Sequence, residues 1–199
     1  QHFAEALLRA QARGDQELVA EVLYYMGRIA YYQAEYAPAR NLFEESLRIG
    51  RELGIDAAKI AFRLAFLGDV VLAQGDAAAA STLLRESLTL IYQADTAFEN
   101  YAVALILAHF AGLATTLGEH RRAVQLVAAA RLVYQKVSFH MLSNDQVLFD
   151  APLATARRSL SSEQFDQAWA AGEQMTMDAA VALALAEITR DPPSVIENA

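Results

Sequence analysis

The sequence has no cysteine, which removes disulfide frameworks, thiolate zinc sites and cysteine nucleophiles together. Proline and glycine are scarce, at four and nine among 199 residues, too few for the many tight turns of an all-β sandwich. Positive charge is in deficit: 16 Lys and Arg against 24 Asp and Glu give a formal net charge of −8. A sequence-independent grip on nucleic acid or on an anionic membrane depends on a basic surface, so neither is an expected partner. Long hydrophobic runs are missing too. The longest apolar stretches, such as Tyr101 to Ala108 and Val181 to Ala186, fall far short of the roughly 18 residues that a membrane-spanning helix needs. The opening Gln1-His2-Phe3-Ala4-Glu5-Ala6-Leu7-Leu8 carries no basic region, signal core or initiator methionine. It reads as a helix in progress, as expected of a chain that begins inside a larger protein.

What is present is apolar mass in a regular pattern. Hydrophobic residues make up 55% of the chain and charged residues 20%, a balance that folds. Slid against itself, the chain repeats. Glu45-Ser46-Leu47-Arg48-Ile49 returns as Glu86-Ser87-Leu88-Thr89-Leu90, a shift of 41 positions. At the same shift Met26-Gly27 becomes Leu67-Gly68, Ala39 becomes Ala80 and Phe43 becomes Leu84. A third copy lies 43 positions on, with Phe110-Ala111, Ala123, Val127 and Ala130. A period of this size is that of a pair of helices, and Gly or Ala lets two helices approach where they cross.

Punctuation sets the boundaries. Gln74-Gly75-Asp76 offers a glycine for a left-handed helix end and an aspartate to cap the next helix, and Leu117-Gly118-Glu119 is its counterpart. Pro38 fits a first helical turn. Helices are expected near 2–13, 16–34, 37–53, 57–74, 77–93, 97–117 and 120–137, the first resembling half of a truncated repeat. Beyond Lys136 the pattern changes. Ser143-x-x-Gln146 and Ser161-x-x-Gln164 read as capping boxes. Pro152 is expected to kink or split the helix between them. The helix after Ser161 aligns Phe165, Ala168 and Trp169. Another begins near Thr176, aligns Met177, Val181, Ala184, Leu185 and Ile188, and ends at Pro192-Pro193. Residues 138–190 are thus expected to cap the array formed by 1–137, with 191–199 a flexible tail.

Within each copy the spacing resembles the tetratricopeptide repeat: Leu23, Met26-Gly27, Ala30, then Ala39, Phe43, Ser46, and likewise in the later copies. It departs from that motif in lacking the late proline and in exceeding the standard length of about 34 residues. The resemblance implies an all-α solenoid of helical hairpins, wound as a right-handed superhelix, with a C-terminal helical cap. The segments Arg121 to Ala130, Leu160 to Glu173 and Met175 to Leu185 are similar to the C-terminal ends of large bacterial regulators. In these an ATP-binding module of the signal-transducing NTPase type precedes tetratricopeptide-like repeats, as in large LuxR-type transcriptional activators. That likeness implies a cytoplasmic sensor or assembly region, with catalysis and DNA binding in other domains of the parent chain.

Five of the eight tyrosines fall between Tyr24 and Tyr36, and Tyr24, Tyr25, Arg28, Tyr31 and Tyr32 share one broad helical face. In tetratricopeptide-like arrays the first helix of each pair lines the concave surface. The resemblance therefore gathers Tyr24, Arg28, Tyr31 and Tyr32 with Phe62, Phe66 and Asp69 of the second copy and His109 and Thr116 of the third. Aromatic area with one cation and one anion suits a peptide or a flat small molecule. Packing against neighbouring helices produces the same stripe, so groove and core readings both stand at this point. The clamp with which chaperone-binding members of the family hold a carboxylate would fall on Tyr24, Arg28, Phe66, Leu105 and His109. Only Arg28 carries fixed charge, so chaperone-tail binding is disfavoured.

Catalytic signals are weak. His2, His109, His120 and His140 show no His-x-x-x-His spacing, and no metal or cofactor is expected. Gly68-Asp69 and Gly75-Asp76 lack the string of a phosphate loop. Glu44-Glu45 and Glu163 with Asp166 match ordinary solvated faces, and Arg121-Arg122 and Arg157-Arg158 match solvated or capping surfaces. The expected function is a non-catalytic interaction or sensor domain that binds a peptide, partner protein or small inducer on the concave face. The alternative is an enzyme or small-molecule-processing domain using His109 and Asp69 in the same groove. Self-association through the N-terminal half-repeat is a third reading.

Overall fold

The computed structural model describes residues 2–93, 99–136 and 145–186, and every regular element among them is an α-helix. In chain order these are α1 (His2–Arg13), α2 (Gln16–Tyr32), α3 (Tyr36–Leu53), α4 (Ala57–Ala73), α5 (Ala77–Tyr92), α6 (Glu99–Thr116), α7 (His120–Lys136), α8 (Gln146–Ser159), α9 (Ser162–Glu173) and α10 (Met177–Leu185). None of these helices is long and apolar enough to cross a membrane. The bounds follow local chemistry. Asp15, Asp56 and Asp76 each accept a backbone N–H of the helix they precede. Gly75 and Gly118 take φ of 93° and 84°, and the next residues close the helix ends with Asp76 N–H to Val71 C=O at 3.0 Å and Glu119 N–H to Ala114 C=O at 2.8 Å. Ala34 does the same work after α2 at φ 59°, although its Cβ disfavours that conformation.

α2 packs on α3, α4 on α5 and α6 on α7, while α4 also touches α2 and α6. The crossing contacts are those of small against large side chains. A Cβ on Gly27 would lie 2.8 Å from the Phe43 ring, and one on Gly68 would lie 3.1 Å from Leu84. Glycine is needed here so that the helices can approach. A hydrogen bond recurs at the same 41-residue shift: Ser46 Oγ donates to Ala20 C=O at 2.5 Å, and Ser87 Oγ to Ala61 C=O at 2.7 Å. Each serine is fully buried against the backbone of the preceding inner helix. Tyr25 and Ile29 are exposed, whereas their counterparts Phe66 and Val70, then His109 and Leu113, are buried in the next two pairs.

The C-terminal helices pack on α6 and α7: α8 on both, α9 on α7, and α10 on both. Ser161 and Gln164 form the expected capping box, and Phe165 and Ala168 bury against Val124 and Ala156. α9 approaches α7 so closely that a Cβ on Gly172 would meet the Gln125 carbonyl oxygen at 2.4 Å. Arg122 donates to the carbonyls of Leu183, Ala184 and Ala186, and Arg85 to those of Leu185 and Ala186, so two cations cap the C-terminal end of α10.

One expectation is corrected. Pro152 does not split its helix, because α8 runs through it from Gln146 to Ser159. The proline has no N–H to give the helix, but it is buried, and the helix continues on either side of it. Ser143, Ile188, Pro192-Pro193, the 137/138 boundary and the 191–199 tail lie outside the described residues.

Candidate functional site

α2, α4 and α6 bring their predicted residues onto one shared surface, and Phe66 is its hub. This ring is completely buried, with edge-on contacts to Tyr24, Tyr31 and Tyr32 at 5.9–6.4 Å, to His109 at 4.8 Å, and a stacked contact to Phe43 at 5.8 Å. The Arg28 guanidinium sits over its face at 4.8 Å. Tyr24 is likewise buried, and burial pushes its phenol above the ordinary value.

The surface is not an open groove. α8 lies against it with Leu148, Phe149 and Pro152 buried, and Asp145, at the start of α8, pairs with Arg28. Asp145 is 1% exposed and Arg28 9%, so the ion pair is a buried post between distant parts of the chain. Tyr32 donates to the same carboxylate at 3.5 Å, and burial raises its phenol to about 12. Burial also raises the Asp145 carboxyl, and Arg28 opposes that rise only in part.

Two cavities lie beside this core. The larger, of about 520 Å³, receives Tyr31, Tyr32, Asp69, His109 and Thr116 from the predicted set. Tyr36 from α3 and Leu148 and Pro152 from α8 complete its wall. The smaller, of about 230 Å³, receives Tyr24, Arg28 and Phe62, beside Tyr101 and Asp145. Phe66 lines neither, being the partition between them. The tyrosine face therefore divides: Tyr24 packs, while Tyr31 and Tyr32 are partly buried at the rim of a cavity.

The charged centre of the larger cavity is Asp69 with His109, whose Nδ1 lies 2.6 Å from Asp69 Oδ2. A carboxylate only accepts, so Nδ1 carries the hydrogen, and in the neutral ring Nε2 keeps the lone pair. Nε2 is buried and has no hydrogen-bond partner among the described residues. The negative charge of Asp69 is the first cause of a strong upward push on the Tyr31 phenol, with burial second. Among the described residues no hydroxyl is bonded to the imidazole: Thr116 Oγ1 donates to Gly112 C=O at 3.1 Å instead. Among the described residues no three His, Asp or Glu side chains are placed to hold a metal ion.

Two central residues escaped the sequence. Arg63 is 1% exposed and donates to Ser46 Oγ at 2.8 Å, Lys59 C=O at 2.7 Å and Glu21 Oε2 at 2.9 Å, beneath the Tyr24 ring. Its signal was present, since it is a lone charge within the apolar run Ile60 to Leu67. Asp145 gave no such signal, because its partner stands 117 positions away. No protein-family model, curated protein or solved structure matches this chain.

Proposed function

We propose that this chain is a tetratricopeptide-like hairpin array with a helical cap, and that it binds a small molecule in the cavity of Tyr31, Asp69 and His109 as a non-catalytic sensor. The observation that carries the reading is that cavity: about 520 Å³, walled by α2, α4 and α6 and roofed by α8. Its volume falls in the range of small-ligand sites, with apolar walls and a few convergent polar groups. α8 occupies the space an extended peptide would need, which favours an inducer over a peptide. The recurrent serine bond and the two glycine crossings support the repeat reading and its solenoid winding. The likeness of the C-terminal third to bacterial signal-transduction regulators supports a cytoplasmic role in such a protein, alongside other domains.

The test is a small-metabolite screen by thermal shift and calorimetry on the wild type and on Gly112→Phe. Gly112 lines the cavity, and a Cβ there meets nothing within 4 Å, so the larger side chain fills the site without clashing at its base. A metabolite that stabilises the wild type and not Gly112→Phe is the expected result. Equal binding by both proteins would place the ligand elsewhere and overturn the assignment. A second reading rests on the Asp69–His109 pair, which is also the arrangement that orients a general base. Conversion of the bound ligand by the wild type, abolished in His109→Gln, would establish that reading in place of the sensor.

A further inference from the structure

From the chemistry of the same cavity we infer that its ligand is a small organic ammonium ion with an apolar body; the inference rests on reading that cavity as the binding site. Asp69 sets the charge there, and the phenol and threonine hydroxyls that also line the cavity can donate or accept. Among the described residues Asp69 is the only carboxylate that lines the cavity, and no Lys or Arg does. Arg28, the one guanidinium of the predicted set, is paired with Asp145 and lines the smaller cavity instead. His109 holds Nδ1 against Asp69, and its buried Nε2 has no hydrogen-bond partner among the described residues. Such an unpartnered buried atom carries a standing desolvation cost. The Asp69 oxygens retain lone pairs beyond the one His109 uses.

The remaining surface fits the same class. Tyr31 packs edge-on to Tyr32 at 5.3 Å and tilted to Tyr36 at 6.2 Å, so three phenol rings form one cluster in the wall that Asp69 also lines. Aromatic faces beside an acidic group are the recurrent way to hold an ammonium ion, through the ring quadrupole and direct charge. Leu72, Leu148 and Pro152 leave an apolar wall for the body of the ligand. An organic anion would face Asp69 with no cation to receive it, in a chain of net charge −8.

Three probes that share the phenylethyl body and differ in the polar head decide the matter: 2-phenylethylammonium, 2-phenylethanol and 3-phenylpropanoate, titrated into the full chain by calorimetry with NMR shift mapping. The ammonium is expected to bind at least tenfold more tightly than either analogue, to be excluded by Gly112→Phe, and to lose at least tenfold in Asp69→Asn. Tyr36→Leu, which leaves the carboxylate and the imidazole in place, is expected to weaken it severalfold. Melting curves establish that each variant is folded. Equal or tighter binding of the alcohol or the carboxylate, undiminished binding in Asp69→Asn, or no binding of any probe overturns the inference. If the probes fail while a metabolite still separates wild type from Gly112→Phe, only the ligand class is lost. If both fail, the sensor reading falls with it.

Discussion

Removing Arg28 should cost far more than its single ion pair is worth. Asp145 is 1% exposed, and with Arg28 absent its nearest described donor is the Tyr32 hydroxyl at 3.5 Å, too long to replace a guanidinium. Breaking a buried pair from one side leaves an uncompensated charge, at about 3–5 kcal/mol. The guanidinium also covers Phe66 at 4.8 Å and Tyr24 at 5.8 Å, adding about 0.5–2 kcal/mol that a methionine recovers only in part. Arg28→Met is therefore expected to lose about 4 kcal/mol, and Asp145→Asn about 1–3 kcal/mol because it leaves the cation. The double variant should lose at least about 2 kcal/mol less than the sum, since neither charge then remains. Urea unfolding followed by far-ultraviolet circular dichroism gives the cycle if the slopes agree. Amide exchange at Val147 to Phe149 should quicken in each single variant, as the post that holds α8 is lost. Losses that add within about 0.5 kcal/mol would refute the claim that this pair joins the cap to the inner helices.

Four further outcomes follow from local geometry. Because burial raises the Asp145 carboxyl in the folded state, its contribution is fully present below the unfolded value of about 3.9 and is lost as pH rises through the folded value. Wild type should thus lose stability relative to Asp145→Asn as pH rises above about 4, and the opposite slope would mean that Arg28 outweighs burial. Ala34→Gly should raise stability by about 0.5–1 kcal/mol, because relief of left-handed strain at φ 59° exceeds the entropy that glycine adds to the unfolded chain; an unchanged or lower midpoint in thermal melts would contradict this. Gly172→Ala should lose about 1–3 kcal/mol, since the new Cβ meets backbone atoms of α7 that cannot rotate away. Gly112→Ala, in open space within α6, should instead gain about 0.5–1 kcal/mol by chemical denaturation.

Helix ends were legible wherever a short-range bond sets them. Asp76 caps α5 and Gly75 closes α4 through contacts within five residues, so their meaning is carried by the neighbouring letters. The same holds for the Ser161–Gln164 box, and for Gly27 against Phe43, which repeats one period later as Gly68 against Leu84. Pro152 was misjudged because a proline's cost is local, whereas what offsets it is burial beneath distant helices. For the site, the residue types were visible, but their grouping was not: the nine predicted side chains fall into two cavities and a buried partition.

By itself, then, the sequence determined an all-helical chain, the extents of the first seven helices to within a few residues, and the recurrent small–large crossings, since each depends on spacing along one or two neighbouring helices. Only the tertiary structure decided that Asp145 meets Arg28, that Arg63 is buried among Ser46, Lys59 and Glu21, and that α8 roofs the inner surface. Long-range electrostatic pairing leaves little trace in local pattern. An aspartate in a connector reads alike whether it faces water or a guanidinium more than a hundred residues away.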